Sequence, residues 1–563
     1  MKTDNAKYTI GVDFGTLSAR ALLVRVSDGA EIASASYVYP HAVITGQLPP
    51  PNESVKLPPE YALQDPNDYT AAIKSTVSDL LKSGGVSPDS IIGIGIDFTT
   101  CTLIPVNDHY EPLSNDPRFG SNPHAYVKLW KHHGAERYAK MITETAAMRN
   151  EPWLGYFGGK VSSEWMLPKI WETLDLAPEI YENAFRFIDA GDYMVYLLTG
   201  CLTRNSCIAG YKMQHTDDGY PSPDFLAALD PRLRDLISDK LCGDIIPVGS
   251  RAGVINDNGT ELTGLNPGTA VSAAVSDAHV AAPALKITSP GQMFIIMGTS
   301  GCHMLVSDKL EKVPGICGVV RDGVIPGYYG YEAGQTCFGD HFAWFAENLA
   351  PAEYRDEAEL RGISVSALLS EKAAAMHPGE SGIIALDWWN GNRSILTDFD
   401  LAGLFIGMTL HTKAEELFRA LIEAVAFGTR TIIENFINHG IPVNECFAAG
   451  GIAVKNPFLM QTFADVLGIP IGLTGSAETP CLGSAIFAST AAGQAAGGYD
   501  SLDEAALHMG KLSDTVYYPA EENKRVYDLL YHEYLLLHDY FGRGGNDVMK
   551  RLIKIKSEVT PGN

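Results

Sequence analysis

Positive charge is scarce in this chain of 563 residues, with 42 Lys and Arg against 67 Asp and Glu and a formal net charge of −25. Such a balance excludes non-specific binding to nucleic acid or to an anionic membrane, while leaving room for a local basic pocket that takes phosphate. No uninterrupted apolar run is long enough for a membrane helix. The first residues, Met1 to Tyr8, are polar and carry no apolar leader core. The nine cysteines (Cys101, Cys201, Cys207, Cys242, Cys302, Cys317, Cys337, Cys446 and Cys481) are scattered and odd in number, and they form no C-x-x-C. They read as reduced thiols of a cytoplasmic protein, not as a disulfide framework or a zinc site.

Several catalytic signatures are also missing. Tyr156-Phe157-Gly158-Gly159-Lys160-Val161 lacks the spacing and hydroxyl of a P-loop. No G-x-G-x-x-G opens a helix, which excludes a dinucleotide Rossmann site, and no G-x-S-x-G marks a hydrolase elbow. His532-Glu533 is followed by His538, so the zinc-protease spacing fails and an ordinary helix face is expected there.

What is present is a chain too long for one hydrophobic core, so two large domains are expected. Its organising stretch is Ile10 to Val24, two apolar β-prone runs around Phe14-Gly15-Thr16-Leu17-Ser18, which reads as a hairpin. Gly15 allows close backbone approach to a ligand. Thr16, Ser18 and the turn amides are donors, and Arg20 can fork onto a phosphate. Asp13, at the end of the first strand, would face the phosphates through a hydrated Mg²⁺. The competing reading is a hairpin with a polar turn.

Further along, Ala30 to Val38 alternates like a third antiparallel strand, residues 40 to 65 read as a loop, and Tyr69 to Lys82 has helical spacing. Ile91 to Asp97 reads as a buried strand with a polar tip, Thr99 to Thr102. Residues 110 to 165 gather His124, Trp130, His132, His133, Trp153, Tyr156, Phe157 and Trp165, either as a pocket wall for a small polar molecule or as an insertion with its own core. Ala209-Gly210-Tyr211-Lys212 reads as a loop. Ala270 to Val275 is a strand ending in Ser276-Asp277-Ala278-His279. There Asp277 is either a strand-end carboxylate facing a cleft or the N-cap of the helix that follows. Residues 286 to 292 read as a linker, which sets domains of 1–287 and 288–563.

The second half opens like the first. Met293 to Met297 and Cys302 to Val306 flank Gly298-Thr299-Ser300-Gly301, and the echo hints at an internal duplication. Leu417 to Phe436 is a periodic helix, Cys446 to Ala449 a strand running into Gly450-Gly451, and Asn456 to Leu467 a helix. Cys481 begins another helix, and Glu521 to Tyr540 is a last amphipathic one. Gly450-Gly451 reads either as a tight turn or as a shelf against a flat base.

Two polar hairpin turns, one per half, with a glycine shelf behind them, form an ordered set that resembles the FGGY carbohydrate kinases. The resemblance runs from Asp13 to about Ala488. It rests on Leu129-Trp130-Lys131-His132-His133, Ser162-Ser163-Glu164-Trp165, Cys207 to Lys212, Asp277-Ala278-His279, Gly298 to Cys302, Gly315 to Gly318, Glu332-Ala333-Gly334-Gln335 and Asp387 to Arg393. It implies an α/β fold of two actin-like (ribonuclease H-like) domains, each a mixed sheet flanked by helices, with the active site in the interdomain cleft. It further implies ATP- and Mg²⁺-dependent phosphorylation of the terminal hydroxyl of an open-chain ketopentose, L-ribulose foremost. D-ribulose, ribitol or xylulose are the alternatives, and a non-kinase actin-like ATPase is the more distant one.

By the same resemblance Asp277 is the catalytic base, and Thr100, Lys212 and Glu332 hold sugar hydroxyls. Gly15, Thr16, Ser18, Arg20, Gly298, Thr299 and Ser300 cradle phosphates, Gly450, Gly451 and Asn456 border adenosine, and Asp13 holds Mg²⁺ through water. A homodimer is the assembly expected. Many family members carry an Asp just after the Leu-Trp pair where this chain has Lys131-His132-His133, so no sugar contact is assigned to that loop.

Overall fold

The computed structural model describes residues 6–241 and 243–559, so Cys242 and most of the polar N-terminal stretch lie outside it. The first half is built on a mixed sheet. The hairpin strands β1 (Tyr8–Phe14) and β2 (Ser18–Arg25) are followed by β3 (Glu31–Val38), helix α1 (Asn67–Gly84) and the fully buried β4 (Ile91–Phe98). Helices α2 (Met166–Leu176) and α3 (Ser206–Met213) belong to the insertion that follows. Strands β5 (Arg251–Val254), β6 (Ala270–Ser272) and β7 (Val275–Ser276) then return to the sheet.

The expected strand from Ala270 to Val275 is thus two short ones, both paired parallel to β4 and interrupted at Ala273. Ala273 leaves the ladder because its N–H bonds instead to the Ser250 carbonyl at 2.8 Å. The expected loop at Ala209 to Lys212 is corrected to helix. Asn205 caps it by accepting from Ile208 N at 2.8 Å, and every residue of α3 is buried.

The second half repeats the plan. Its strands are β8 (Gln292–Met297), β9 (Gly301–Ser307), β10 (Gly318–Arg321) and β11 (Tyr329–Gln335). Helix α4 (Ala414–Asn438), strand β12 (Glu445–Ala449), helix α5 (Pro457–Leu467), strand β13 (Ile471–Thr474), helix α6 (Thr479–Ala492), strand β14 (Leu512–Tyr517) and helix α7 (Glu521–Gly542) complete it. The first sheet runs β3-β2-β1-β4-β6-β5, and the second, inside its edge strand β10, runs β11-β9-β8-β12-β13-β14. The strand senses agree at each step: antiparallel, antiparallel, parallel, parallel, antiparallel. This order of senses carries the duplication that the short Gly-Thr-x-Ser echo only hinted at.

One helix does not stay with its own sheet. α6 lies on the first sheet, where Leu22, Val24, Ile92, Leu482, Ala485 and Ile486 share one core. Three strand glycines make that possible. A Cβ on Gly11 would sit 1.8 Å from the Cys481 carbonyl oxygen, one on Gly93 2.5 Å from that of Ala488, and one on Gly95 2.1 Å from that of Ser484. Ile94 and Ile96, which alternate with Gly93 and Gly95, point to the opposite face and its separate core. Among the described residues no helix is long and apolar enough to cross a membrane, and the eight described cysteines are free.

Candidate active site

Ligand groups gather where parallel strands of an α/β sheet end. In the first sheet β1 and β4 run side by side, with Asp13 opposite Asp97, while β7 places Ser276 opposite Phe98. The next residue, Asp277, donates its N–H to the Phe98 carbonyl at 3.0 Å. Three carboxylates therefore meet at one edge. Asp97 is fully buried, its Oδ2 accepts from Ser484 Oγ of α6 at 2.5 Å, and among the described residues its Oδ1 has no hydrogen-bond partner. Burial, with Asp13 beside it, holds the Asp97 carboxyl well above the usual carboxylate range.

Asp277 is half-buried. Its Oδ1 accepts from Ala278 N at 2.7 Å and faces Ser276 Oγ at 3.4 Å, which leaves Oδ2 open. Burial and then the charge of Asp13 push its carboxyl up to about 6. The alternative role as an N-cap is not realised, because the following helix begins at Ala281 with Val280 in the cap position. Thr100 stands beside this carboxylate, its hydroxyl bonded to that of Ser276. The turn that carries it passes through Cys101 at φ 61°, and Lys169 Nζ ties that turn to the Trp130 loop by donating to the Cys101 and Leu129 carbonyls at 2.8 and 2.7 Å.

Each of the two polar turns is closed by its first glycine, over three residues in the first and two in the second. Gly15 N donates to Ser18 O at 3.0 Å, and Gly298 N to Ser300 O at 3.1 Å. Thr16 accepts from Trp130 Nε1 at 3.1 Å, so its own O–H remains to donate. Thr299 is exposed, with Ser18 and Ser300 half-buried. Arg20 does not stand free as the phosphate reading expects. It is bonded to Asp13, and its Nη1 lies 3.1 Å from Glu478 Oε2.

Gly450 sits at φ 102°, and a Cβ there would meet the Met297 carbonyl oxygen at 2.4 Å, so the glycine turn is pressed against the strand leading into Gly298. Gly451 faces open space. Asn456 caps α5, accepting from Leu459 N at 3.0 Å and donating to Ser370 Oγ at 3.1 Å.

Lys212 and Glu332 come from different halves and meet. α3 packs flush on β10, where a Cβ on Gly210 would lie 2.2 Å from Val320 Cγ1, and Tyr211 Oη donates to the Gly330 carbonyl at 2.6 Å. Lys212 Nζ is then 3.0 and 2.9 Å from the two Glu332 oxygens. His279 Nε2 lies 3.4 Å from Glu332 Oε2. Burial opposes the charge on His279, but Cys207 and Glu332 outweigh it and raise the imidazole to about 10. Burial likewise opposes the Glu332 charge, and Lys212 with His279 overcomes it, holding the carboxyl well below the usual range.

Lys212 and Glu332 open on a cavity of about 840 Å³ whose wall also includes His133, Glu164, Trp165, Cys317 and Arg393. The aromatic insertion therefore does both things open to it. Trp153, Phe157, Trp165 and Trp171 form a core of their own, while His133, Phe157 and Trp165 also line the cavity. His132 lines nothing. It is fully buried, 2.9 Å from Glu172, which also takes Lys128 at 2.6 Å.

The sequence matches the FGGY family of carbohydrate kinases in both of its parts, the N-terminal domain over residues 8–283 and the C-terminal domain over 293–492. The chain belongs to the FGGY carbohydrate kinases. Two relatives in this family are nearly full-length matches. A ribulokinase of Halalkalibacterium halodurans is 51% identical over 552 residues, 98% of each chain, and one of Bacillus licheniformis is 52% identical over 542 residues, 96% of this chain and 98% of its own. Among solved FGGY-type folds, the xylulose kinase of Rhodospirillum rubrum superposes with a TM-score of 0.77 at 23% identity, covering 94% of this chain and 98% of its own. That likeness is one of fold: two mixed sheets, each flanked by helices.

FGGY kinases use ATP, and this site suits the hydrated cation that accompanies it. Asp13, Asp97 and Asp277 bring three carboxyl groups to one sheet edge, and among the described residues one Asp97 oxygen is buried without a hydrogen-bond partner. Among the described residues no group of three or more His, Cys, Asp or Glu forms a metal cage. One or two carboxylates with the remaining positions filled by water and phosphate is what Mg²⁺ takes, so the donor set fits it.

Sequence reasoning passed over Asp97, Glu164, His279 and Arg393 as site residues. For Asp97 the signal was its place at the end of a fully apolar strand. For Glu164 and Arg393 it was their presence in two of the quoted family blocks.

Proposed function

We propose that this protein transfers the γ-phosphoryl group of ATP to the terminal hydroxyl of L-ribulose, giving L-ribulose 5-phosphate on the route of L-arabinose breakdown. The observation that carries the reading is Asp277, a half-buried carboxylate with one oxygen open and one tethered, set between the Asp13 turn and the buried Lys212–Glu332 pair. The two ribulokinases, at about half identity over nearly the whole chain, support the choice of sugar.

In this reading Thr100, Lys212 and Glu332 fix the sugar hydroxyls, and the fixed Lys212–Glu332 charges favour a polyhydroxyl ligand over an apolar one. The terminal hydroxyl oxygen attacks the γ-phosphorus, its proton passes to Asp277 Oδ2, and the bond from the γ-phosphorus to the oxygen of ADP breaks. Gly15 and Gly298 let the turns approach the phosphates and the hydroxyls of Thr16, Ser18, Thr299 and Ser300 orient them, with Gly450, Gly451 and Asn456 beside adenosine. Arg20 reaches the phosphates by letting go of Glu478. Asp13 would hold Mg²⁺ through water, where the ion neutralises charge on the transferring group. Residues 1–287 form the sugar side and 288–563 the ATP side. The free thiols support a reducing, cytoplasmic setting.

The test is ADP release in a coupled assay over a panel of ketoses and polyols. L-ribulose is expected to lead in kcat/KM. D-ribulose, ribitol or xylulose well ahead of it would replace the substrate, and ATP turnover indifferent to every sugar would replace the reaction.

A further inference from the structure

The loop from Gly391 to Asp400 reaches from the second half across to the first. Lys160 Nζ donates to the Thr397 carbonyl, and Arg393 Nη2 stands 3.7 Å from Glu164 Oε1. The loop is braced from within by Asn392 and Asp398, which exchange two backbone bonds of 2.8 Å, and by Ser394 N on the Gly334 carbonyl at 3.1 Å. The Arg393 side chain is 21% exposed, yet among the described residues its guanidinium donates no hydrogen bond. A guanidinium that faces a cavity without an acceptor in hydrogen-bond range keeps its fork of donors available to a ligand.

A glycine keeps the guanidinium in place. A Cβ on Gly334 would lie 3.1 Å from Arg393 Cδ and 3.3 Å from Nη1. Gly334 and Glu332 lie on the same face of β11, two residues apart, so Arg393 runs alongside Glu332. Both line the 840 Å³ cavity, together with Lys212 and Glu164. Asp277 is not part of that wall and connects to it through His279, at 3.4 Å from Glu332. On the rest of the wall acids outnumber bases, with Glu60, Glu136, Glu144, Asp398 and Asp400 beside Lys140 and Lys160. An anion would be repelled there, whereas a neutral polyhydroxyl chain would not.

We infer that Arg393 is the second half's direct contact with the sugar, its donors taking the oxygens at the end remote from the phosphorylated hydroxyl while Glu164 accepts from a neighbouring hydroxyl. The inference rests on the sugar-kinase reading above and adds a specificity residue to it. It also gives the loop a task, because the sugar then bridges the halves before ATP is gripped.

The experiment uses the full chain, with L-ribulose as probe, and compares wild type with Arg393→Met and Arg393→Lys. Losing hydrogen bonds from a charged donor predicts a sugar KM raised on the order of 10- to 100-fold in Arg393→Met. The ATP KM should stay within about threefold and the melting temperature should be unchanged, with Arg393→Lys falling between. A folded Arg393→Met with a sugar KM within about threefold of wild type overturns the inference, as does a parallel rise in both KM values. Should Arg393→Met fail to fold, Arg393→Gln takes its place, since it keeps a polar side chain while removing the charge and the fork of donors. A raised sugar KM there supports the assignment and an unchanged one overturns it. A wild-type enzyme inactive on L-ribulose would defeat the substrate reading alone, and the same variants are then compared on the sugar it does phosphorylate.

Discussion

Replacing Asp277 by Asn separates chemistry from architecture, because the structure predicts opposite signs for the two. Asn keeps the side chain's size, and its carbonyl oxygen can still accept from Ala278 N, the 2.7 Å bond that tethers the loop. What is lost is the open oxygen that takes the proton. General-base removal typically lowers the rate ~10²–10⁴-fold, about 3–5 kcal/mol of barrier, and the loss should fall on kcat with the ATP KM little changed.

Stability should move the other way or stay level. The carboxyl is raised from 3.8 to about 6 in the folded protein. A raised acid stabilises the fold only while it is protonated, so that contribution is present below pH ~4 and is lost as the pH rises through ~6. At pH 8 the wild type therefore holds an unfavourable buried charge worth at most about 3 kcal/mol, which Asn removes. The expected result is a variant at least as heat-stable as wild type and nearly inactive, measured by steady-state kinetics and a thermal melt on one preparation. The wild-type kcat/KM should also fall on an acid limb near pH 6, with roughly a tenth of the base ionised at pH 5. A stable variant that retains more than about a tenth of wild-type kcat would refute the assignment.

Three further outcomes follow from the same coordinates. Lys212→Met removes one of the two cations facing Glu332 and leaves it to His279, 3.4 Å away, so the melting temperature should drop by an amount reflecting ~1–3 kcal/mol and the sugar KM should rise, readable by calorimetry and kinetics; an unchanged melt would contradict the buried pair. Gly95→Ala forces a methyl to 2.1 Å from the Ser484 carbonyl and lifts α6 off the sheet, so a denaturant midpoint equal to wild type would argue against that packing, the usual overpacking penalty being ~1–3 kcal/mol. Sugar plus a non-hydrolysable ATP analogue should shrink the radius of gyration in small-angle scattering as the two turns approach one phosphate chain, and identical curves would mean that the turns do not move.

The hairpins, the buried strand at Ile91 and the long helix at Leu417 were legible because each carries a strong period or an uninterrupted apolar run. Helix α3 was not, because it is buried on every side and so has no polar face to reveal a helical repeat; its one readable mark was Asn205 at the cap. α6 was legible as a helix from Cys481, but nothing in residues 479–492 tells which sheet it will cover. That information sits in Gly11, Gly93 and Gly95, hundreds of residues away. Asp277 stood out as a strand-end carboxylate, but its choice as base over cap, and the naming of Lys212 and Glu332, came only through family blocks. Arg393 and Glu164 lay inside such blocks, but their meeting depends on a contact between halves that no local pattern encodes.

The placement of α6 also bears on how the molecule is made. As the ribosome extends the chain, the first sheet can be complete once Ser276 has emerged, but the groove over its three glycines stays uncovered until residue 492 follows. At ~5–20 residues per second that interval is on the order of ten to forty seconds. During it an apolar face, with Leu22, Val24 and Ile92 at its centre, is open to any passing chain. A fragment ending at the linker would remain in that condition permanently. The N-terminal half expressed alone should therefore be recovered bound to chaperones or aggregated, and adding residues 479–492 back as a separate peptide should restore part of its solubility.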